Sequence, residues 1–192
     1  MKSEKTVAVG RRVWDTRLLA RIGLLAALSC VVLLVVPRVS LVAAAPYLQY
    51  DMADVPILLA AFLLGAGPGG WVLLVVSLVQ GLLLGENGLV GALMHFCATG
   101  SLLLAATQVA KRIPGTKGLV AGLSVGVLVW TAVMIPLNLI ITVHVFGQPE
   151  EVVRAAMLPG IIPFNFLKAT LNSLIFFFIY KVNEKVFRDL LK

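Results

Sequence analysis

The sequence has 192 residues, of which 60% are hydrophobic and only 13% are charged, and its mean hydropathy is +1.01. Soluble domains carry about 25% charged residues, so this chain has too few polar side chains to cover a globule in water. The composition therefore excludes an ordinary soluble domain and predicts a membrane protein.

The formal net charge of +7 does not indicate a nucleic-acid-binding face, because the basic residues are not gathered into one. Thirteen of the sixteen lie in three groups that flank apolar stretches, at residues 2–21, 111–117 and 181–192. This is the distribution that the positive-inside rule describes. Cys30 and Cys97 both lie in apolar stretches and predict neither a disulfide framework nor a metal site.

Apolar stretches long enough to span a bilayer follow in chain order. A helix that crosses roughly 30 Å of hydrocarbon needs about 20 residues. Four stretches satisfy this, namely Leu18 to Val36, Leu89 to Ala110, Gly118 to His144 and Ile161 to Tyr180. The uncharged segment 55–84 is interrupted by helix breakers between Gly65 and Gly70, which predicts two shorter helices joined by a turn. The predicted fold is an all-α membrane protein with six transmembrane helices.

Charge placement supports this number of spans. Six spans put the basic segments 111–117 and 181–192 on the same side as the N-terminus, whereas five would put them on the opposite side. We therefore expect both termini to be cytoplasmic, with a basic tail (1–17), a six-helix substrate-binding domain (18–181) and a second tail (182–192). Five acidic residues are then expected outside, namely Asp51, Asp54, Glu86, Glu150 and Glu151. A cleaved signal peptide ending near Ala45 is an alternative, but its removal would reverse this charge balance.

Polar residues inside the predicted spans recur at a similar predicted depth in the bilayer. Such residues are costly in hydrocarbon and usually face a bundle interior or a cavity. Within each helix their spacing of three, four or seven residues places them on one face. They are Gln80 on the third span, His95 on the fourth, Asn138 and Thr142 on the fifth, and Asn165, Lys168 and Asn172 on the sixth. This pattern predicts a polar cavity that opens to the outside, about a third of the way into the bilayer.

Each of these side chains also has a structural interpretation. Lys168 could extend to the headgroups, Asn138 could bond to a neighbouring helix, and His95 could be a satisfied interhelical donor. The connection 37–54, which contains Tyr47, could be a lid over a ligand or an anchor at the interface. The two histidines and the nearby Cys97 are too scattered to predict a metal site.

Small residues form ridges on two spans. Gly23 and Ala27 are four residues apart on the first span, and Gly118, Gly122 and Gly126 continue the spacing on the fifth. Such ridges allow close helix contact, either within this chain or with another membrane subunit. The sequence lacks a P-loop motif, so we expect no ATP hydrolysis by that route. A solute-binding or transport subunit and an intramembrane enzyme using His95 or Lys168 remain as two hypotheses.

Three segments resemble the riboflavin-specific S component of energy-coupling-factor (ECF) transporters. They are LPGIIPFNFLKATLNSLIFFFIYK (158–181), YDMADVPILLAAFLLGAGPGG (50–70) and GLVGALMHFCATG (88–100). The resemblance implies a six-helix subunit of a prokaryotic cell membrane that binds riboflavin from outside. It also implies coupling to the transmembrane scaffold subunit EcfT and to two cytoplasmic ATPases, with Gly23 and Ala27 facing the scaffold. No catalytic residue and no cofactor are expected.

The resemblance also implies which residues contact the flavin. Asn138, Asn165 and Lys168 match its asparagine and lysine positions, and we expect Leu41, Phe96 and Phe164 to supply an apolar wall. The third and fourth helices depart from many relatives, with Gln80 and His95 in place of other polar residues. This departure leaves FMN, or a pyridoxine-like or folate-like vitamin, as an alternative substrate.

Overall fold

The computed structural model describes residues 15–84 and 87–190, and in these ranges the chain is a bundle of helices. The long helices are α1 (Thr16–Val35), α2 (Asp54–Leu64), α3 (Ala66–Leu78), α4 (Gly88–Arg112), α5 (Gly115–His144) and α7 (Ile162–Val182). The short elements are β1 (Val39–Ser40), β2 (Gln49–Tyr50), α6 (Glu150–Ala156) and α8 (Glu184–Leu190). Glu86 and most of the predicted basic tail, residues 1–14, lie outside the described residues.

Residues of the connections before α2, α4 and α6 line one cavity, whereas Gly65, Gly115 and Lys181 line another. The connections therefore alternate between two ends of the bundle, and consecutive long helices run in opposite directions. We call the end that carries residues 37–53 the connection end. We call the other end, where α1 begins and α7 finishes, the terminal end. Five helical segments of the described chain are long and apolar enough to cross a membrane, whereas α2 has only 11 residues.

The predicted break between the second and third helices lies at Gly65. This residue has φ of 108°, a conformation that glycine adopts without the steric cost of a Cβ atom, and it separates α2 from α3. Helix α3 continues through a π-helical turn, Val79–Leu83, which extends its apolar segment to 18 residues. A second π-helical turn, Met157–Ile161, joins α6 to α7.

The connection 37–53 is not a simple surface loop. Its strands pair antiparallel, with Val39 opposite Tyr50, and its last residues descend into the bundle before α2 begins. Asp51 and Asp54 are consequently buried rather than exposed at the surface. The sequence predicts both aspartates on the outer side of the membrane and does not predict that they are buried. The short pair of strands is also a departure from the all-helical prediction.

Close packing of α4 against α5 forms the centre of the bundle. A Cβ atom built on Gly122 would collide with the backbone carbonyl of Ala106, and one on Gly126 would lie 3.0 Å from the carbonyl oxygen of Leu102. The predicted ridge on this helix therefore packs within the chain. Gly23, in contrast, has open space beside it on α1, which packs mainly against α2 and α3.

Candidate functional site

Two adjoining cavities lie at the connection end. The larger, of about 540 Å³, lies between the connections and helices α5 and α6, and the smaller, of about 150 Å³, lies among α3, α4, α5 and α7. Asn87 and Met94 line both cavities, which are therefore neighbours. The larger volume falls within the range of roughly 300–1,000 Å³ that is typical of small-molecule sites.

Seven of the ten predicted substrate-binding residues line these cavities. Tyr47, Asn138 and Thr142 line the larger one, and Gln80, His95, Asn165 and Lys168 line the smaller one. The fold therefore brings these polar groups of spans three to six together at one end of the bundle.

The other three predicted residues, Leu41, Phe96 and Asn172, lie elsewhere. Leu41 is half-buried in the connection and is not among the residues that line either cavity. Phe96 is 38% exposed, because it follows His95 on α4 and points about 100° away from it. Asn172 is fully buried beneath the cavities. Phe164, which we expected in the apolar wall, does line the smaller cavity.

The π-helical turns position two parts of the site. Gln80 belongs to the first turn and lines the smaller cavity, while Ile161 ends the second turn and lines the larger one. Asn165 Nδ2 donates to the carbonyl oxygen of Ile161 at 2.8 Å, and its Oδ1 accepts from Trp130 Nε1 at 3.0 Å. Two opposed bonds thus fix the orientation of this amide at the cavity wall.

Lys168 is paired with a carboxylate from the connection. Its Nζ lies 2.6 Å from Asp51 Oδ2, and the two side chains are only 9% and 4% exposed. Removal of a charged group from water costs several kcal/mol, and a close opposite charge offsets much of that cost. The ammonium group of Lys168 is therefore held at the wall of the smaller cavity, and the alternative in which it extends to the headgroups does not describe this structure.

Asp54 is the centre of a second buried group. Its Oδ1 accepts from Thr99 Oγ1 at 2.8 Å and lies 3.0 Å from His95 Nε2. Its Oδ2 accepts from Asn172 Nδ2 at 2.8 Å. Two helices, α4 and α7, are thus bonded through three side chains to the first residue of α2, and each bond satisfies part of the carboxylate that burial would otherwise leave unpaired.

His95 has contacts at both ring nitrogens. Nε2 faces Asp54, and Nδ1 lies 2.8 Å from Ser77 Oγ. A serine, a histidine and an aspartate in series resemble a hydrolase triad. However, Ser77 is only 1% exposed and is not among the residues lining the two cavities, so a ligand in these cavities does not contact this hydroxyl. The histidine acts here as an interhelical contact, as one of the sequence interpretations proposed.

Tyr50 lies beside the two carboxylates, in strand β2. Burial, with a further contribution from the charges of Asp51 and Asp54, raises the pKa of its hydroxyl to about 12. The phenol is therefore neutral at physiological pH.

Sequence reasoning missed the two aspartates as members of the site. It placed them outside because six spans with a cytoplasmic N-terminus put the connection after the first span on the outer side. The available signal was a lysine and a histidine inside the predicted spans, since buried cations in membranes are usually paired with an acidic group. Asp51 and Asp54 precede the second span at the same predicted level.

Comparison with known proteins identifies the family. Residues 17–180 match the family model described as "ECF transporter, substrate-specific component". The chain is 33% identical to a riboflavin transporter, RibU, of Staphylococcus aureus, over 71% of this chain and 75% of that protein. It is 26% identical to the riboflavin transporter FmnP of Bacillus subtilis, over 70% of this chain and 75% of the relative.

A solved structure shares the fold. It is the S component of a bacterial ECF transporter, with 32% identity and a TM-score of 0.76, and the similarity covers 88% of this chain and 96% of the other. With its apolar helices, the chain is a multi-pass protein of the cell membrane. It belongs to the family of substrate-specific components of ECF transporters.

Proposed function

We propose that this chain is the riboflavin-binding subunit of an ECF importer, and that riboflavin occupies the two cavities at the connection end. The observation that carries the proposal is the set of polar groups in these cavities. Asn138, Asn165 and Lys168 all line them, at positions that the family resemblance assigns to flavin contacts. The relatives named as riboflavin transporters support the same ligand.

The chemistry of the flavin suits this lining. The pyrimidine edge of isoalloxazine presents carbonyl oxygens, ring nitrogens and one N–H group, which amides and an ammonium group can satisfy. The dimethylbenzene edge requires apolar contacts, and Phe164, Met94 and Met134 supply them in the smaller cavity. Tyr47, Thr142 and Gln148 line the larger cavity and offer polar groups for the ribityl chain.

The proposed orientation places the connection end outside the cell. Basic residues at 111–117 and at 181–185 then lie on the cytoplasmic side, as the positive-inside rule requires. With α2 counted as a short span, six helices cross the membrane and both termini are cytoplasmic. The domain limits are those expected from sequence: a tail to residue 17, the transmembrane domain from 18 to 181, and a tail from 182.

Uptake requires partner subunits, which we propose are the scaffold EcfT and two cytoplasmic ATPases. Gly23 and Ala27 lie on the exposed face of α1, where a partner helix has access to them. We assign no catalytic residue and no resident cofactor to the chain, and riboflavin is its cargo.

A direct test is to titrate the detergent-purified chain with riboflavin, with FMN and with pyridoxine- and folate-like vitamins. Binding is measured by the fluorescence of the added vitamin. We expect tight quenching by riboflavin and weakening of about tenfold or more in the Asn165→Ala variant, which removes an oriented amide. Asn183→Ala is the matched control, because Asn183 makes the same contact to the carbonyl four residues earlier but lies at the terminal end. Preferential binding of another vitamin would overturn riboflavin as the ligand.

A further inference from the structure

The ion pair between Asp51 and Lys168 joins two distant parts of the chain. The 2.6 Å contact links the connection 37–53 to α7. Asp51 itself is fixed by two further bonds, because its Oδ1 accepts from the amide of Ala53 at 3.1 Å and its carbonyl oxygen accepts from Asn172 Nδ2 at 3.2 Å. The carboxylate is therefore a rigid acceptor, whereas a lysine side chain has several rotatable bonds and requires a partner to hold it in one position.

The same pair determines the charge that a ligand meets. Of the described residues that line the two cavities, Lys168 and the titratable His95 are the ones that can carry a positive charge. Each of them lies within 3.0 Å of a buried carboxylate, Asp51 for the lysine and Asp54 for the histidine. The wall of the smaller cavity therefore carries the ammonium group of Lys168, whose positive charge is compensated by Asp51.

We propose that Asp51 is a positioning and specificity-determining residue of the binding site. It holds the ammonium group of Lys168 at the cavity wall and cancels its net charge, so that the site favours a neutral flavin with carbonyl acceptors over a phosphorylated flavin. The inference rests on the proposed function. It assigns to the connection an electrostatic role in discrimination between riboflavin and FMN.

Substitution of Asp51 by asparagine tests both proposed roles, namely the positioning of Lys168 and the compensation of its charge. Asp51→Asn keeps the shape of the side chain and exposes the charge of Lys168 to the cavity. We expect riboflavin affinity to fall roughly tenfold, since the lysine is no longer oriented. We also expect the ratio of the FMN to the riboflavin dissociation constant to fall by about tenfold, because without the negative charge of Asp51 the cation attracts the phosphate more strongly. A role limited to folding would weaken both ligands equally and leave this ratio unchanged.

A double-variant cycle with Lys168→Gln tests whether Asp51 acts through the lysine. In the Lys168→Gln background the substitution of Asp51 is expected to leave the ratio of the two dissociation constants within about twofold, because no cation remains to be uncovered. Asp51→Glu retains the negative charge and replaces Asp51→Asn as the test if the asparagine variant does not fold. We expect the ratio of the FMN to the riboflavin dissociation constant in Asp51→Glu to equal that of the original chain. A ratio shifted toward FMN in Asp51→Glu would contradict the proposal.

The outcomes also separate this inference from the proposed function. If the unmodified chain binds neither flavin, the proposed function is wrong and the inference is wrong with it. If the chain binds riboflavin but Asp51→Asn leaves the ratio unchanged, or tightens riboflavin binding, only the inference is overturned. A shifted ratio that disappears in the Lys168→Gln background supports both.

Discussion

The connection end and the terminal end of this bundle bury different kinds of side chain. At the connection end, two aspartates, a lysine and a histidine are buried among helices, next to cavities with polar linings. At the terminal end, apolar contacts prevail, with Phe62 and Phe176 packed at a centroid distance of 4.9 Å and Tyr180 beside them. Polar burial, which is costly in a membrane, is thus concentrated where we propose that the ligand binds.

The presence of a cavity does not distinguish the two ends. The terminal end also contains one of about 350 Å³, lined in part by Lys181, Thr116 and Glu184. There the lysine pairs with Glu184 at 2.6 Å, and both side chains are about one-third exposed. Exposed pairs of this kind contribute little to stability, whereas the buried pair of Asp51 and Lys168 is sensitive to the loss of either partner. Burial of the charges, and not cavity volume, distinguishes the candidate site.

The largest effect on stability is expected when the buried carboxylate of Asp54 at the connection end is removed. Asp54→Ala removes the acceptor of Thr99 and Asn172 and the partner of His95, so we expect it to lower the free energy of unfolding by about 3–5 kcal/mol. Thermal unfolding of the purified chain measures this effect. The control is Glu150→Ala, which breaks an exposed pair with Arg154 and is expected to cost about 0–1 kcal/mol. Equal effects of the two substitutions would remove the contrast between buried and exposed charge.

A smaller effect is expected from overfilling the packed helices. Gly122→Ala places a Cβ atom against the Ala106 backbone, so we expect it to destabilise the chain by about 1–3 kcal/mol. Gly23→Ala is the matched control, since its Cβ atom would enter open space on α1 and is expected to be neutral or slightly stabilising. The melting temperatures of the two variants measure this difference in stability. Tolerance of Gly122→Ala would mean that α4 and α5 are not in close contact.

The smallest effect concerns the orientation of one amide in the cavity. Trp130→Phe removes the donor to Asn165 Oδ1 and keeps a smaller aromatic ring at this position, so we expect riboflavin affinity to fall about threefold. Trp71→Phe is the control, because Trp71 is half-exposed and is not among the residues lining the cavities. An unchanged dissociation constant in Trp130→Phe would show that Asn165 needs no second contact to hold its position.

Much of the bundle could be predicted from sequence because its signals are local. Long apolar stretches gave the helices to within a few residues, except that the predicted break at 65–70 is a single glycine and α3 continues through Pro68. The helical spacing of polar residues also predicted which faces meet at the cavities. The π-helical turns and the strand pair escaped prediction, since both depend on contacts between segments.

The site was predicted only in part for a related physical reason. Helical periodicity identifies residues that share a face, and so it indicated Asn138, Asn165 and Lys168, which line the cavities. It cannot show that a connection descends into the bundle, which is what buries Asp51 beside Lys168. Phe96 was expected in the wall from its residue type, but its position one residue after His95 turns it away from the cavities.

The most direct test of a connection-end binding site compares two polar side chains that make the same backbone contact at opposite ends of the bundle. Asn138 and Thr107 each donate to the backbone carbonyl four residues earlier, but Asn138 lines the larger cavity and Thr107 lies at the terminal end. In riboflavin titrations we expect Asn138→Ala to raise the dissociation constant by about tenfold and Thr107→Val to change it by less than about twofold. An unaffected Asn138→Ala variant, or a larger effect of Thr107→Val, would contradict the assignment of the site to the connection end.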